Sequence, residues 1–269
     1  MKRFISLVLV AVMAVLCLAS CGSEKDSASL TVAASSAPHA EILEECKSAL
    51  AEKGITLTVK VMDDYITPNN STEDGEVNAN YFQHGPYLEQ FNEENKTHLV
   101  SIAKIHYEPY GIYAGTASSL DAVPEGGKVA VPNDATNEAR ALQLLAAQGL
   151  ITLKEGAGLT ATKNDITENP KNLDIVEMEA ALIPGMLDEV AIAVVNGNYA
   201  ISSGLKVSQA LAVEDKDSEA AQTFANVLVV KEGNEKDEAV LALVEVLKSK
   251  EIASFIEEKY EGAVIPLAD

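Results

Sequence analysis

"KVAVPNDATNEARALQLLAAQGL", Lys128 to Leu150, is the stretch whose reading decides the fold. Its opening, "KVAVPND", is a short apolar run closed by turn residues, the pattern of a strand buried on both faces of a parallel sheet. "EARALQLLAAQGL" then has helical character and stops near Gly149. The same alternation extends in both directions. "LTVAAS" (30–35) reads as a strand. "PHAEILEECKSALAEKG" reads as a helix with Pro38 in its first turn and Gly54 as its stop. "TLTVKVM" (56–62) alternates apolar and polar residues, so it is a strand. "VAIAVVNG" (190–197) is a second buried strand, and Val240, Leu243, Val244 and Leu247, then Ile252, Phe255 and Ile256, have helical spacing. Strands alternating with helices predict an α/β fold with mostly parallel sheets. The chain is long enough for two such sheets. "YEPYGIYAG" (107–115) and "FANVLVVKEG" (224–233) are the candidate connections between them.

The N-terminus predicts a processed leader. Lys2 and Arg3 precede an apolar run from Phe4 to Leu18 broken only by Ser6. Small residues follow, which is the pattern of a secretory signal. At about 15 residues the run is short of the roughly 20 a membrane span needs. "LASC" (18–21) resembles a bacterial lipobox, which makes Cys21 the acylated first residue of the mature chain and "GSEKDSAS" a flexible tether. Cys17 leaves with the leader. Cys46 is then the one free thiol, so no intramolecular disulfide forms. In its helical context Cys46 reads as a small buried hydrophobe.

Asp and Glu number 41 against 20 Lys and Arg, a net charge of −21. With no basic patch, nucleic acid is a poor partner. An anionic ligand would need a local positive site, whereas a zwitterion is less penalised. No local motif supports catalysis: G-x-S-x-G, H-E-x-x-H and the Walker P-loop are all missing. "GAGLTA" (156–161) fits a loose dinucleotide pattern, but "TKNDITENP" follows it where a helix is needed, and it reads as a surface loop. His39, His84, His98 and His106 show no metal-ligand spacing. "MDDYITPNNSTEDGE" (62–76) lacks the carboxylate order of a calcium loop and reads as solvated. No cofactor and no metal are expected.

The aromatic residues are unevenly spread. Eight Tyr and Phe fall between Tyr65 and Tyr113, four of them in "NANYFQHGPYLEQF" (78–91). They form either a core cluster or the wall of a cleft at a strand-to-helix junction. Arg140 is one of two arginines, the other being Arg3 in the leader. Its helical neighbours Thr136, Asn137, Gln143 and Leu144 include no acid, so no intrahelical pair accounts for it. A guanidinium suits two-point grip of a carboxylate. That carboxylate belongs to a ligand or to a residue distant in the chain. Asn196 ends one apolar run and Asn226 begins another, where an amide serves as a cap or points into a cleft.

Taken in order, "SSAPHAEILEE", "DDYITPN", "NANYFQHGPYLEQFN", "PYGIYAG", "AVPNDATNEARALQLLAAQGLITLK", "ITENPKNLDIVEMEAALIP", "VAIAVVNGNYAISSGL" and "NVLVV" resemble the NlpA family of lipoproteins, the methionine-binding components of ABC importers. The resemblance implies a two-lobed periplasmic-binding-protein fold. After a signal peptide (1–20) and a lipidated tether (21–29), residues 30–113 and 226–269 would form one lobe and 114–225 the other. It implies an L-methionine pocket, with Tyr65, Phe82, His84 and Tyr87 around the thioether, Arg140 on the carboxylate, and Asn196 and Asn226 on the amino-acid backbone. It implies a receptor held to the extracytoplasmic face of the membrane by a lipid on Cys21, serving an ABC permease and its ATPase, and not an enzyme. Two positions depart from the family pattern. Gly85 replaces a residue with a side chain and gives His84 more backbone freedom, and Phe224 stands before Ala225-Asn226 where a Tyr is common. The alternatives are a methionine-containing dipeptide or another small apolar amino acid as ligand, and, from other classes, a secreted hydrolase or an adhesin.

Overall fold

The computed structural model describes residues 28–215 and 223–267. The leader, Cys17 and Cys21 lie outside these described residues. The first half of the chain runs β1 (Ala28–Ala34), α1 (Glu41–Glu52), β2 (Ile55–Val61), α2 (Thr67–Glu73), β3 (Ala79–His84), α3 (Gly85–Asn95) and β4 (Leu99–Tyr107). It continues with β5 (Gly111–Ala114), β6 (Lys128–Pro132), α4 (Ala135–Ala147), the small hairpin β7 (Thr152–Leu153) and β8 (Ile166–Glu168), and β9 (Asp174–Met178). A 3₁₀ segment (Ala180–Glu189), β10 (Ile192–Val195), α5 (Gly197–Ser202) and β11 (Ala212–Val213) follow. The C-terminal part is β12 (Asn226–Lys231), α6 (Glu238–Leu247), α7 (Lys250–Tyr260) and β13 (Ile265–Pro266).

Two large sheets result. One has the order β13-β4-β12-β3-β1-β2 and the other β11-β5-β10-β6-β9. Helices flank both, which makes the fold a two-lobed α/β arrangement. The stretch 128–150 does what its pattern predicts. β6 is buried between β9 and β10 and parallel to both. Asp134 caps α4 by accepting from the Asn137 N–H at 3.0 Å, and Gly149 takes a positive φ just past its end.

Most strands of each sheet run one way, as expected, with antiparallel strands set among them. β1, β2 and β3 are parallel, but β12 lies antiparallel between β3 and β4. In the second sheet β5 is antiparallel to β10 and β11. The cause is the double crossing of the chain: it leaves the first sheet after β4 and re-enters in its middle, running the other way. Of "FANVLVVKEG", then, only Phe224 and Ala225 lie in the return connection, and Asn226–Lys231 form β12. Val227 to Val230 are at most 1% exposed, as a central strand covered on both faces requires. The outward crossing falls at 108–110, and β5 already belongs to the second sheet, so the strip 111–113 sits there and not in the first.

Two further expectations are corrected. The regular helix α1 begins at Glu41. Pro38 stands ahead of it in a π-helical turn (Ser36–Ala40) that follows a cis Ala37–Pro38 bond. "MDDYITPNNSTEDGE" is not a solvated loop throughout, because it contains α2 with Asn69, Ser71 and Thr72 buried. These polar groups satisfy one another: Asn80 donates to Asn69 (3.1 Å) and Thr72 (2.7 Å), and Gln83 donates to Asn69 (2.6 Å). Hydrogen bonding within the layer offsets its desolvation. Composition registers such a layer as solvent-loving.

The first sheet packs through Leu30, Val32 and Leu228 against Leu43, Cys46 and Leu50 of α1 and Val240, Leu243 and Leu247 of α6. The second packs through Val129, Val131 and Val194 against Leu142 and Leu145 of α4. Cys46 is fully buried and its thiol is pushed up to about 12, by burial first and Glu45 second. Among the described residues no helix is long and apolar enough to cross a membrane.

Candidate ligand-binding site

One cavity, with about 330 Å³ of space unfilled by atoms, is lined by Tyr65, Phe82, His84, Tyr87, Arg140, Asn196 and Asn226 together. Gln83, Glu108, Asn137, Gly197 and Asn198 complete the lining. The first sheet supplies its strand ends and the β2–α2 loop, and the second supplies the starts of α4 and α5. Residues far apart in sequence converge because both sheets present strand-to-helix turns at the same place, the usual location of α/β sites.

The aromatic wall is built on β3 and α3. Tyr65 stands 5.8 Å from Phe82 and 5.5 Å from Tyr87, centroid to centroid, at tilted and edge-on angles. Tyr199 of α5 closes on Tyr65 from the other side at 5.0 Å. Tyr87 donates its hydroxyl to the Tyr65 carbonyl at 2.9 Å, and Tyr65 donates to Asn198 Oδ1 at 2.7 Å. Both readings of the aromatic stretch apply. Tyr65, Phe82 and Tyr87 face the cavity, while Tyr81, Tyr107 and Tyr110 are fully buried behind it.

His84 ends β3 and caps α3. Its Nδ1 accepts from the Tyr87 N–H at 3.2 Å, and its Nε2 donates to Asn137 Oδ1 at 3.1 Å. Burial, with Arg140 adding to it, pushes the imidazole down to about 3, so it is neutral at ordinary pH. Asn196 donates to the same Asn137 oxygen at 2.9 Å and accepts from the Tyr110 hydroxyl at 3.2 Å. Gly85 has an ordinary helical start, and a Cβ there would meet nothing within 4 Å. This departure therefore leaves His84 in place.

Arg140 is buried, and two of its nitrogens are engaged by the protein. Nε donates to Glu214 Oε1 at 2.8 Å, and Nη2 donates to Glu214 Oε2 at 2.6 Å and to the Glu108 carbonyl at 2.8 Å. Nη1 is the nitrogen that these three bonds leave over. The guanidinium lies over the rings of Phe224 (4.4 Å) and Tyr110 (4.6 Å). Phe224, the second departure, is thus a stacking surface for Arg140. Burial works against ionisation of Glu214. Arg140, the Tyr107 hydroxyl and the Tyr110 N–H nonetheless hold it below the usual carboxylate range.

The sequence reading missed Glu108, the one acidic side chain lining the cavity. It sits in the crossing strip, flanked by Tyr107 and Pro109 in a segment already singled out as a connection. That context is the signal that pointed to it. Its Oε1 accepts from His106 Nε2 at 2.7 Å, and His39 Nε2 lies 3.4 Å away. Burial raises its pKa, against the pull of His39 and Arg140. Gly197 makes room for it: a Cβ there would come within 2.6 Å of the Glu108 carboxylate. His39, His106 and Glu108 bring three metal-ligating atoms within 4.8 Å of one another, a grouping that spacing along the chain did not reveal. The His106–Glu108 hydrogen bond and the contacts of His39 with both account for their geometry.

The NlpA lipoprotein family model matches residues 30–268. The methionine-binding lipoprotein MetQ of Bacillus subtilis is 41% identical over 261 residues, covering 94% of each chain. A crystal structure from Ruminococcus gnavus described as a lipoprotein is 60% identical, with a TM-score of 0.88, over 89% of this chain and 99% of that one. A nutrient-binding protein from Burkholderia cenocepacia, solved bound to methionine, is 36% identical with a TM-score of 0.84, over 88% of this chain and 99% of that one.

Proposed function

The chain belongs to the NlpA lipoprotein family, and on that premise we propose that it is a lipid-anchored receptor on the extracytoplasmic face of the membrane that captures L-methionine for an ABC importer. The observation that carries this reading is the composition of the cavity wall. It has one cation, Arg140, one anion, Glu108, and the amides of Asn196 and Asn226 beside the rings of Tyr65, Phe82 and Tyr87. That is the complement of a zwitterion with an apolar, polarizable tail. Arg140 Nη1 and the asparagine amides receive the α-carboxylate, and Glu108 receives the α-ammonium. The aromatic faces and edges, with His84, surround the thioether, where a sulfur–ring contact contributes about 0.3–1.5 kcal/mol.

The two sheets with their helices serve as lobes that close on the ligand about the crossing strands. Acylation of Cys21 and the tether behind it hold the receptor near the permease, whose ATPase drives uptake. Calorimetry on ligand-stripped protein tests the reading. L-methionine is expected to bind one to one, and the des-amino acid, which lacks the ammonium, at least tenfold more weakly, since a hydrogen bond to a charged group contributes about 1.5–3 kcal/mol. Equal affinity for the two would remove Glu108 from the site. No heat with any amino acid or short peptide would overturn the receptor assignment.

A further inference from the structure

Behind the cavity lie two fully buried histidines that do not line it, His39 and His106. We infer that they are positioning residues that set the polarity of the site: His106 fixes Glu108 as an acceptor, and His39 fixes Asn226 as a donor. The inference rests on the reading of the cavity as an amino-acid site.

The bonding pattern determines which ring nitrogen of each histidine carries its proton. The buried Tyr81 hydroxyl meets His106 Nδ1. Burial keeps that phenol protonated, with its pKa well above 10. Glu108 Oε1 faces Nε2 and accepts, so the ring proton sits on Nε2, Nδ1 accepts and Tyr81 donates. That proton points at Glu108 Oε1, 2.7 Å away. Around His39, Ser35 Oγ lies 2.6 Å from Nδ1, and Nε2 faces Asn226 Oδ1 at 3.0 Å and Glu108 Oε1 at 3.4 Å. Both atoms facing Nε2 are oxygens that accept, so Nε2 again carries the proton and Ser35 donates to Nδ1. With its oxygen held from behind, the Asn226 amide turns its NH₂ group to the cavity.

Burial lowers His39 to about 4 and His106 to about 3, so each ring carries a single proton at ordinary pH and each relay runs one way. The two relays, Tyr81–His106–Glu108 and Ser35–His39–Asn226, end on the groups that face the ligand's ammonium and carboxylate. Packing alone would be served by apolar side chains, which bring no polar group to desolvate. Two histidines in full burial are accounted for by what they orient.

The tautomers are read without any ligand. Long-range proton–nitrogen correlation NMR on the ¹⁵N-histidine-labelled mature protein should show Nε2–H for both rings. An Nδ1–H form of either would overturn its relay. Function is read by L-methionine calorimetry. His106→Met should weaken binding about ten- to a hundredfold. His106→Gln, whose amide donates from a similar position, should recover most of that. In a Glu108→Gln background His106→Met should add little. An equal loss in both backgrounds, or equal losses from Met and Gln, would show a merely structural role. Failure of the unaltered protein to bind L-methionine would count against the amino-acid reading itself, and the tautomer spectrum would still decide whether the relays exist.

Discussion

Arg140 and Glu214, 74 residues apart, form a two-point ion pair with Nε–Oε1 and Nη2–Oε2 distances of 2.8 and 2.6 Å and side chains only 4% and 9% exposed. The pair ties α4 to the strip following β11, where the chain turns back toward the first sheet. It also holds the guanidinium in the wall of the cavity. Removing one partner leaves a buried charge uncompensated, which costs about 3–5 kcal/mol. Glu214→Ala is therefore expected to lower unfolding free energy by about that amount in urea titration while weakening L-methionine binding. Glu214→Gln, which keeps one acceptor oxygen, should fall between. A loss under about 1 kcal/mol would mark the pair as solvent-screened and dispensable.

Tyr65 crosses from the β2–α2 loop to α5, donating to Asn198 Oδ1 at 2.7 Å. Tyr199 makes the reciprocal crossing, donating to the Asp63 carbonyl at 2.9 Å. These bonds join the two halves directly beside the aromatic wall, so they favour the closed arrangement. Tyr65→Phe keeps the ring and deletes one of them. The closed state should lose about 0.5–1.5 kcal/mol, seen as a two- to tenfold weaker methionine affinity carried mostly by faster release. Small-angle scattering of the ligand-free variant should show a larger radius of gyration than the parent. An unchanged dissociation rate would mean that the hydroxyl does not contribute to closure.

The parts of this architecture that were legible in the sequence are those written in local pattern. Strand β6 and helix α4 follow from "KVAVPNDATNEARALQLLAAQGL" because apolar spacing and capping residues act over one or two turns. The seven candidate site residues meet in one cavity, yet local pattern marked Arg140 only as a residue without a nearby partner. Glu214 and Glu108, which engage it, lie at separations that no helical or strand period samples. The antiparallel entry of β12 was hidden for a similar reason: "VLVV" suits a buried strand of either direction, and direction is set by where the chain came from. The layer of Asn69, Asn80 and Gln83 escaped notice because mutual satisfaction of polar groups is a property of three dimensions.

The buried histidines also predict how the ligand-free protein responds to acid. Burial lowers His39 from 6.5 to about 4, and His84 and His106 from 6.5 to about 3. A depressed histidine binds its proton more weakly in the native state than in the unfolded one. Below pH 6.5 the unfolded chain therefore takes up protons that the native state refuses, and stability falls as pH falls. The loss builds between pH 6.5 and about 3–4, at up to about 1.4 kcal/mol per pH unit for each ring. Glu108, Asp134 and Glu138, whose carboxyls burial raises, Glu138 to about 7, act in the opposite sense, since the native state takes up their protons first as pH falls. Three rings oppose three carboxyls, so a ring's part is read by difference. In thermal melts of stripped protein, His84→Gln, which keeps a donor toward Asn137 and cannot be protonated in the unfolded chain, should lose less stability than the parent from pH 7 to pH 5, or gain more. Equal changes in the two would mean that the His84 ring contributes little to the acid response.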